Sequence, residues 1–250
     1  MPGEFKDHVA LVTGASSGIG GATARLMLKR GATVIATGRN AESLAELDGA
    51  LAFPGDLTDA SFRGRLVEFA SGAGKGRLDS LINAAGIIGT GSIETTTLDS
   101  FDNMMDINVR SLLDLTQRCV QMLKVARGSI VNVSSVTGTR AFPGVLDYCV
   151  SKAAVDQMTR CIALDLAGDS VRCNAVNPGV VRTNLHRNGG MSEDDYAGFV
   201  ERSAQTHPLG RIGEPEEVAE MIAFLAGNRS AWITGECIAV DGGRAQTCAR

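Results

Sequence analysis

A tyrosine and a lysine stand four residues apart in "YCVSK", residues 148–152, at the start of a stretch with helical character. This spacing places Tyr148 and Lys152 on one face of a helix, with Cβ atoms about 5–6 Å apart. An ammonium group beside a phenol is expected to lower the phenol pKa from its usual value of about 10. Such a pair can donate and accept a proton, although an ordinary exposed pair on a helix would give the same pattern.

A serine at the end of a predicted strand offers a hydroxyl to the same region. Ser135 closes the motif "NVSS" and precedes Tyr148 by 13 residues. Its hydroxyl can hydrogen-bond a substrate oxygen, but serines at strand ends also form turns. The motif by itself leaves both interpretations open.

A glycine-rich turn, "TGASSGIG" at residues 13–20, follows the first predicted strand and opens the first predicted helix. Gly14 permits a tight turn, Gly18 allows close approach of a pyrophosphate, and Gly20 permits contact between helix and strand. The helix N-terminus adds unpaired N–H groups and the positive end of the helix dipole. The strand–turn–helix context favours dinucleotide binding over a purely structural turn.

Short apolar segments rich in β-branched residues alternate with helical stretches along the chain. The predicted strands are residues 8–13, 33–37, 50–53, 78–83, 129–134, 171–176 and 237–240. The predicted helices are residues 19–30, 59–70, 97–125, 147–167 and 216–226. This alternation predicts an α/β fold with a doubly wound, mainly parallel seven-stranded sheet flanked by helices. With no linker or internal repeat, residues 1–250 are expected to form one domain.

A polar, glycine-containing insertion between residues 180 and 215 interrupts the alternation of predicted strands and helices. It follows the carboxyl end of a predicted strand, where ligands of open α/β sheets bind. A segment of this length in such a place is either disordered or functional. We expect a substrate lid at about residues 184–214.

The composition excludes several classes of protein. Of 250 residues, 44% are hydrophobic and 21% charged, which is typical of a globular chain. The net charge is −4 with no basic cluster, so no nucleic-acid partner is expected. No apolar run reaches the roughly 18 residues that span a bilayer, and the first residues lack a secretory signal pattern. We therefore expect a cytoplasmic protein with no membrane partner.

The cysteines and histidines show no spacing typical of metal ligands, so no metal is expected. The cysteines form no C-x-x-C pair and are interpreted as reduced thiols; they are Cys119, Cys149, Cys161, Cys173, Cys237 and Cys248. His8, His186 and His207 are interpreted as structural or surface residues.

Eight motifs together resemble the short-chain dehydrogenase/reductase family over nearly the whole chain, and they occur in the family's order. They are "TGASSGIG" (13–20), "GDLTD" (55–59), "NAAG" (83–86), "NVR" (108–110), Ser135, "YCVSK" (148–152), "NPGVVRT" (177–183) and "VDGG" (240–243). The resemblance implies a Rossmann-type fold and an NAD(P)-dependent oxidoreductase that acts on an alcohol or a carbonyl compound.

The resemblance also implies a role for each catalytic residue. Tyr148 would be the acid and base, and Lys152 would lower its pKa while binding the nicotinamide ribose. Ser135 would hydrogen-bond the substrate oxygen, and Asn108 would hold a water that links Lys152 to solvent.

The cofactor site implied by the resemblance draws on most of the strand ends. Val181 and Thr183 would meet the nicotinamide carboxamide. The full set is Gly14, Ser16, Ser17, Gly18, Ile19, Gly20, Gly38, Arg39, Asn40, Asp56, Leu57, Asn83, Ala84, Gly86, Tyr148, Lys152, Pro178, Gly179, Val181 and Thr183.

The end of the second predicted strand indicates which dinucleotide is preferred. Relatives that prefer NAD generally carry an acid where this chain has Gly38, and Arg39 follows it. An arginine can pair with a 2′-phosphate through a planar, bidentate contact. NADP(H) is therefore favoured, while NAD(H) is possible because Asn40 can hydrogen-bond a bare ribose.

The substrate and the assembly are left open by the sequence. Candidate substrates are a 3-oxoacyl thioester, a sugar or polyol, and a small ketone; Arg140, Arg182 and Arg187 are candidates for a basic patch at the pocket mouth. The alternative to an enzyme is a non-catalytic NADP(H)-binding sensor or scaffold. The long apolar helices and the resemblance predict a homotetramer, or a homodimer.

Overall fold

The computed structural model describes residues 3–247, and its seven strands form one sheet in the order β3-β2-β1-β4-β5-β6-β7. Every neighbouring pair runs parallel. The strands are β1 Val9–Val12, β2 Thr33–Ala36, β3 Leu51–Ala52, β4 Ser80–Asn83, β5 Ser129–Val133, β6 Arg172–Pro178 and β7 Cys237–Val240. The predicted doubly wound parallel sheet is confirmed, and its order reverses between β1 and β4.

Helices cover both faces of this sheet. They are α1 Gly18–Lys29, α2 Ala41–Ala45, α3 Ala60–Ala73, α4 Leu98–Met105, α5 Ser111–Ala126, α6 Leu146–Leu166, α7 Leu185–Asn188, α8 Glu193–Thr206 and α9 Pro215–Ala226. The five predicted helices are present, four of them with ends within three residues of the prediction.

Side chains of β1 show why the strands are continuous apolar runs. Ala10 and Val12 belong to the core layer beneath α1 and α9, which also contains Met27 and Ile222. Leu11 points to the opposite layer, beneath α3 and α5. Successive residues of a strand face opposite sides of a sheet. Both sides here are covered by helices, so both sets of side chains must be apolar.

The predicted helix at residues 97–125 is interrupted. A π-helical turn, Asp106–Arg110, joins α4 to α5. The extra residue of a π turn changes the direction in which the neighbouring side chains point. Asn108, within this turn, is buried. The apolar pattern on either side is unbroken, so hydrophobic periodicity alone predicts one long helix and misses the interruption.

The polar segment predicted as a lid contains α7 and α8. The Ser192 side chain caps α8 by accepting a hydrogen bond from the Asp195 N–H. Tyr196 and Ser203 form its buried side, while most of its other residues are exposed or half-buried. A helix with so narrow an apolar side has a polar sequence, which is why its pattern resembles a loop. Its action as a lid stays a prediction.

Two further features of the described chain bear on function. Within residues 3–247, no helix combines the length and the apolar character needed to cross a bilayer. The same residues contain no group of three or more histidine, cysteine or acidic side chains that could hold a metal ion. Cys119, Cys149, Cys161, Cys173 and Cys237 are free thiols, and Cys248 lies outside the described residues.

Candidate active site

A groove of about 860 Å³ runs along the carboxyl ends of the strands. It crosses the point between β1 and β4 where the strand order reverses, which is the usual ligand site of such sheets. Ser135, Tyr148 and Lys152 line it together with all but one of the predicted cofactor residues. The exception is Asn83.

The glycine turn at the groove floor has no room for side chains. A Cβ at Gly14 would lie 2.8 Å from the Ala84 carbonyl oxygen, and a Cβ at Gly20 would lie 2.4 Å from the Gly14 carbonyl oxygen. Gly14 and Gly18 also have positive φ angles of 64° and 53°. The N-terminus of α1 follows, where Ser17 makes no side-chain capping bond. This cradle of bare backbone and unpaired helical N–H groups fits a dinucleotide pyrophosphate.

The first turns of α6 bring the tyrosine and lysine to the groove beside the end of β5. Tyr148 and Lys152 are 6% and 5% exposed. The Lys152 Nζ donates to the Val133 carbonyl oxygen at 2.8 Å and lies 5.7 Å from the centre of the Tyr148 ring. Ser135, next along from β5, accepts a hydrogen bond from the Thr137 N–H at 3.2 Å. Three of the four predicted catalytic side chains therefore lie together.

Burial sets the protonation of this pair. It raises the pKa of Tyr148 to about 12, while a hydrogen-bonding contact with the Ser135 side chain acts in the opposite direction. It lowers the pKa of Lys152 to about 8, partly opposed by the negative charge of Asp156. The net shift for Tyr148 is upward, because the lost hydration of the phenolate outweighs the contact with Ser135. That Lys152 lowers this pKa stays a prediction.

Asn108 lies beneath the groove surface. Its side chain accepts from the Ile87 N–H at 2.9 Å and donates to the Ile87 carbonyl at 3.0 Å and to the Ser151 hydroxyl at 3.0 Å. These bonds hold the chain segment that follows β4. A Cβ at Gly86 would lie 3.1 Å from the Asn108 Oδ1 and 3.6 Å from the Lys152 Nζ. A side chain at position 86 would therefore occupy the space beside these two polar groups.

Asn83 is not part of the groove lining, contrary to the prediction. It is 3% exposed, and its amide donates to the Asn132 Oδ1 at 2.9 Å and to the Thr116 hydroxyl at 3.2 Å. Asn132 in turn donates to the Thr159 hydroxyl at 2.9 Å. The Asn83 side chain thus belongs to a buried polar chain that joins β4 and β5 to the helices beneath them.

The end of the groove near the segment predicted as a lid is lined mainly by apolar and aromatic side chains. Ile88, Phe142 and Val145 line it, as do Leu185 and His186 from the α7 side and Phe199 from α8. The His186 and Phe199 rings lie 4.5 Å apart between centres. Met191 and Tyr196, from the same segment, do not line the groove.

The arginines expected at the pocket mouth do not line it. Arg182 and Arg187 are engaged by Glu214 and Glu193. Arg140 donates to the Ala245 carbonyl. The predicted basic patch is therefore not formed by these residues.

Arg39, by contrast, lines the groove and is exposed, and it makes no hydrogen bond or ion pair with any residue between 3 and 247. A Cβ at Gly38 beside it would lie 2.8 Å from the Ser16 Oγ. An acidic side chain at position 38 would therefore require Ser16 to move. This end of the groove combines a free cation with a position where any side chain would crowd Ser16.

His207 connects the lid to the groove, a role that sequence reasoning missed. It is 3% exposed. Its Nδ1 donates to the Ser203 carbonyl at 2.6 Å, and its Nε2 accepts from the Val180 N–H at 3.1 Å. A Cβ at Gly179 would lie 2.7 Å from that Nε2. The imidazole thus holds the segment leading to Val181 against α8, and no spacing in the sequence indicates this contact.

Comparisons with known proteins agree with this geometry. Residues 14–245 match the family described as enoyl-(acyl carrier protein) reductase. The 3-oxoacyl-[acyl-carrier-protein] reductase FabG of Thermotoga maritima is 39% identical over 247 residues, which cover 96% of this chain and 98% of that protein.

Solved structures extend the likeness to three dimensions. A short-chain dehydrogenase/reductase of unknown function from Caenorhabditis elegans, determined with cofactor, has 32% identity and a TM-score of 0.90 over 98% of both chains. The aldohexose dehydrogenase of Thermoplasma acidophilum has 31% identity and a TM-score of 0.91, over 100% of this chain and 98% of that one.

His207→Leu should weaken nicotinamide cofactor binding roughly tenfold, because the half-buried Val180 N–H loses its acceptor, at a cost of about 1–3 kcal/mol, and the segment leading to Val181 is no longer held in place. His207→Gln, which keeps a donor and an acceptor, should recover much of this loss. Fluorescence titration with the reduced cofactor measures the dissociation constant, and thermal unfolding measures stability in parallel. Equal loss of stability in both variants with unchanged cofactor affinity would show that His207 only supports the fold.

Proposed function

Because this chain belongs to the short-chain dehydrogenase/reductase family, we propose that it interconverts a carbonyl and a secondary alcohol using NADP(H), with Tyr148 as acid and base. Family membership makes the protein an oxidoreductase of carbonyl or alcohol substrates with a nicotinamide cofactor. The observation that carries the finer proposal is the convergence of Ser135, Tyr148 and Lys152 at the end of β5 in one groove.

Each side chain has a defined task in carbonyl reduction. Bound NADPH supplies the hydride to the carbonyl carbon. The Ser135 hydroxyl donates a hydrogen bond to the carbonyl oxygen, which stabilises the negative charge that develops there. Tyr148 gives its proton to that oxygen, and in alcohol oxidation the phenolate takes the proton back. Lys152, held by the Val133 carbonyl, provides positive charge beside the phenol.

The raised pKa of Tyr148 matches the protonation state that the proposed carbonyl reduction needs. A phenol with a pKa of about 12 is protonated throughout the physiological range, so it is ready to act as an acid. Alcohol oxidation needs the phenolate, which burial disfavours. Burial thus favours the protonated form of Tyr148, with which the proposed carbonyl reduction begins.

Arg39 supports NADP(H) over NAD(H). Its guanidinium has no partner among the described residues and lines the groove where the second strand ends. A 2′-phosphate would complete a charge-assisted pair there. The crowding of Gly38 by Ser16 disfavours the acid that would select a bare ribose diol.

The substrate class stays a proposal among three candidates: a 3-oxoacyl thioester, a sugar or polyol, and a small ketone. The relatives differ in the substrates for which they are named, since one is a 3-oxoacyl-[acyl-carrier-protein] reductase and another an aldohexose dehydrogenase. The alternative of a non-catalytic NADP(H)-binding sensor is less well supported. Such a protein would gain nothing from burying Lys152 and Tyr148, whose burial is costly.

A homotetramer, with a homodimer as the alternative, is our proposal for the assembly. Large apolar side chains stand exposed on α5 and α6, including Val125 at 71% and Leu164 at 81%. Exposed apolar residues on neighbouring helices favour burial against another copy. Light scattering on the purified protein measures the mass of the assembly.

Tyr148→Phe should reduce turnover of carbonyl substrates by roughly 10²- to 10⁴-fold, the usual contribution of a general acid. The affinity for NADPH should change little, because the ring is retained. Tyr196→Phe is the matched control, since the remaining tyrosine of the chain does not line the groove. Undiminished activity in Tyr148→Phe would refute the catalytic role. Tight NADPH binding by the wild type without turnover of any carbonyl compound would favour the sensor alternative.

The rate of carbonyl reduction should fall as the pH rises through about 8. The pKa of Lys152 is lowered to about 8, so its positive charge is present below that pH and lost above it. Tyr148, with a pKa of about 12, remains protonated over the same range. A pH profile of kcat/KM for reduction, measured between pH 6 and about 10, tests this. A flat profile would exclude a role for the Lys152 charge.

Arg39→Asp should weaken NADPH binding by roughly tenfold or more, since it replaces an attractive contact with a repulsive one. NADH, which has no 2′-phosphate, should be much less affected. Arg25→Asp is the matched control, because Arg25 is an exposed arginine of α1 that does not line the groove. Dissociation constants for both cofactors test this, and an unchanged preference in Arg39→Asp would refute the assignment.

A further inference from the structure

Two arginines line the groove at the end opposite Arg39. Arg202 extends from α8, and Arg244 follows β7. The sheet order places β7 at one edge and β2 and β3 at the other. Arg39 therefore marks the end of the groove near β2, while Arg202 and Arg244 stand beyond the catalytic residues, beside the lid.

Neither arginine is neutralised by a carboxylate among residues 3–247. Arg202 is exposed and makes no hydrogen bond or ion pair there. The Arg244 guanidinium lies 5.0 Å from the centre of the Phe142 ring and donates to the Thr247 hydroxyl at 3.3 Å. The ring and the hydroxyl orient the guanidinium without cancelling its charge.

Three neighbouring arginines differ from Arg202 and Arg244 both in their partners and in their position. They pair with carboxylates and lie outside the groove lining; the pairs are Arg182 with Glu214, Arg187 with Glu193, and Arg211 with Glu217. Acidic residues are thus abundant around the lid, yet none of them reaches Arg202 or Arg244. Arg202 and Arg244 are the two arginines of this region that line the groove, and neither has a carboxylate partner among the described residues.

The groove has no carboxylate at this end. Among the described residues, Asp56 is the one acid in its lining, and it lies after β3, where it accepts two hydrogen bonds from Thr58 at 2.9 Å. Apolar side chains, among them Ile88, Val145 and Phe199, line the same end as the arginines. A ligand that spans this surface needs an apolar middle and an anionic end.

We propose that the substrate is a carbonyl compound that carries an oxyanion group, and that Arg202 and Arg244 bind this group. Carboxylate, phosphate and sulfonate groups share the chemistry, because each presents oxygens that a planar guanidinium can pair with. The inference rests on the proposed reductase function and adds a substrate class to it. It favours an acidic oxo compound over an uncharged sugar or ketone.

The test compares oxo acids with their methyl esters, which differ mainly in the negative charge. The series runs from 4-oxopentanoate to 7-oxooctanoate, so that one member matches the reach of the groove. With NADPH, wild type should reduce the best acid with a kcat/KM roughly tenfold or more above that of its ester, as expected for a charge-assisted contact. Arg202→Met and Arg244→Met should each bring this ratio closer to one. Arg25→Met, at an exposed arginine of α1 that does not line the groove, should retain it.

A binding measurement separates this inference from the proposed function. Calorimetric titration of the NADPH-loaded Tyr148→Phe protein with the same acids and esters reports affinity without turnover. Tighter binding of the acid supports the anion site even if wild type reduces neither compound, and that outcome would count against the reductase proposal and not against the anion site. Equal affinity for acids and esters throughout the series, or binding of neither, would overturn the anion site. Equal turnover of acids and esters by wild type would overturn it as well.

Discussion

The whole site depends on one contact, in which the Thr13 side chain joins the end of β1 to the end of β4. Its hydroxyl accepts hydrogen bonds from the Ala84 and Ala85 N–H groups at 3.0 and 3.1 Å. It also lies 3.3 Å from the Ile82 carbonyl, to which it donates. These bonds fix the two strand ends at the point where the sheet order reverses. Gly14, directly after Thr13, is thereby pressed against Ala84 and must be a glycine.

A second constraint is the burial of Tyr148 and Lys152, the groups to which we assign the chemistry. Burial moves the pKa of Tyr148 upward and that of Lys152 downward, so both neutral forms become more accessible than in water. The Val133 carbonyl partly offsets the cost of burying the ammonium. The outcome is a phenol that holds its proton and a lysine close to losing its own. That combination suits delivery of a proton to a developing alkoxide more than removal of a proton from an alcohol.

The fold could be predicted from sequence because it depends on local and repeated signals. Apolar runs such as residues 129–134 reveal a strand covered on both faces, and the glycine turn reveals where the first helix begins. Other features depend on contacts between distant residues. His207 matters through its bonds to Val180 and Ser203, and Asn83 faces away from the groove because Thr116 and Asn132 satisfy its amide. The pKa of Tyr148 also escaped prediction, because burial is a property of the folded chain.

Charge along the groove gives a consistent account of how one surface can recognise two ligands. Surface arginines near the lid are satisfied by acids of the same chain, and such pairs add little to stability. Arg39, Arg202 and Arg244 have no carboxylate partner among the described residues, and all three line the groove. A cation left unpaired on a concave surface keeps its full attraction for an incoming anion and raises its local concentration. In our proposals, the unpaired positive charge at one end of the groove binds the cofactor and that at the other end binds the substrate, with the buried tyrosine and lysine between them.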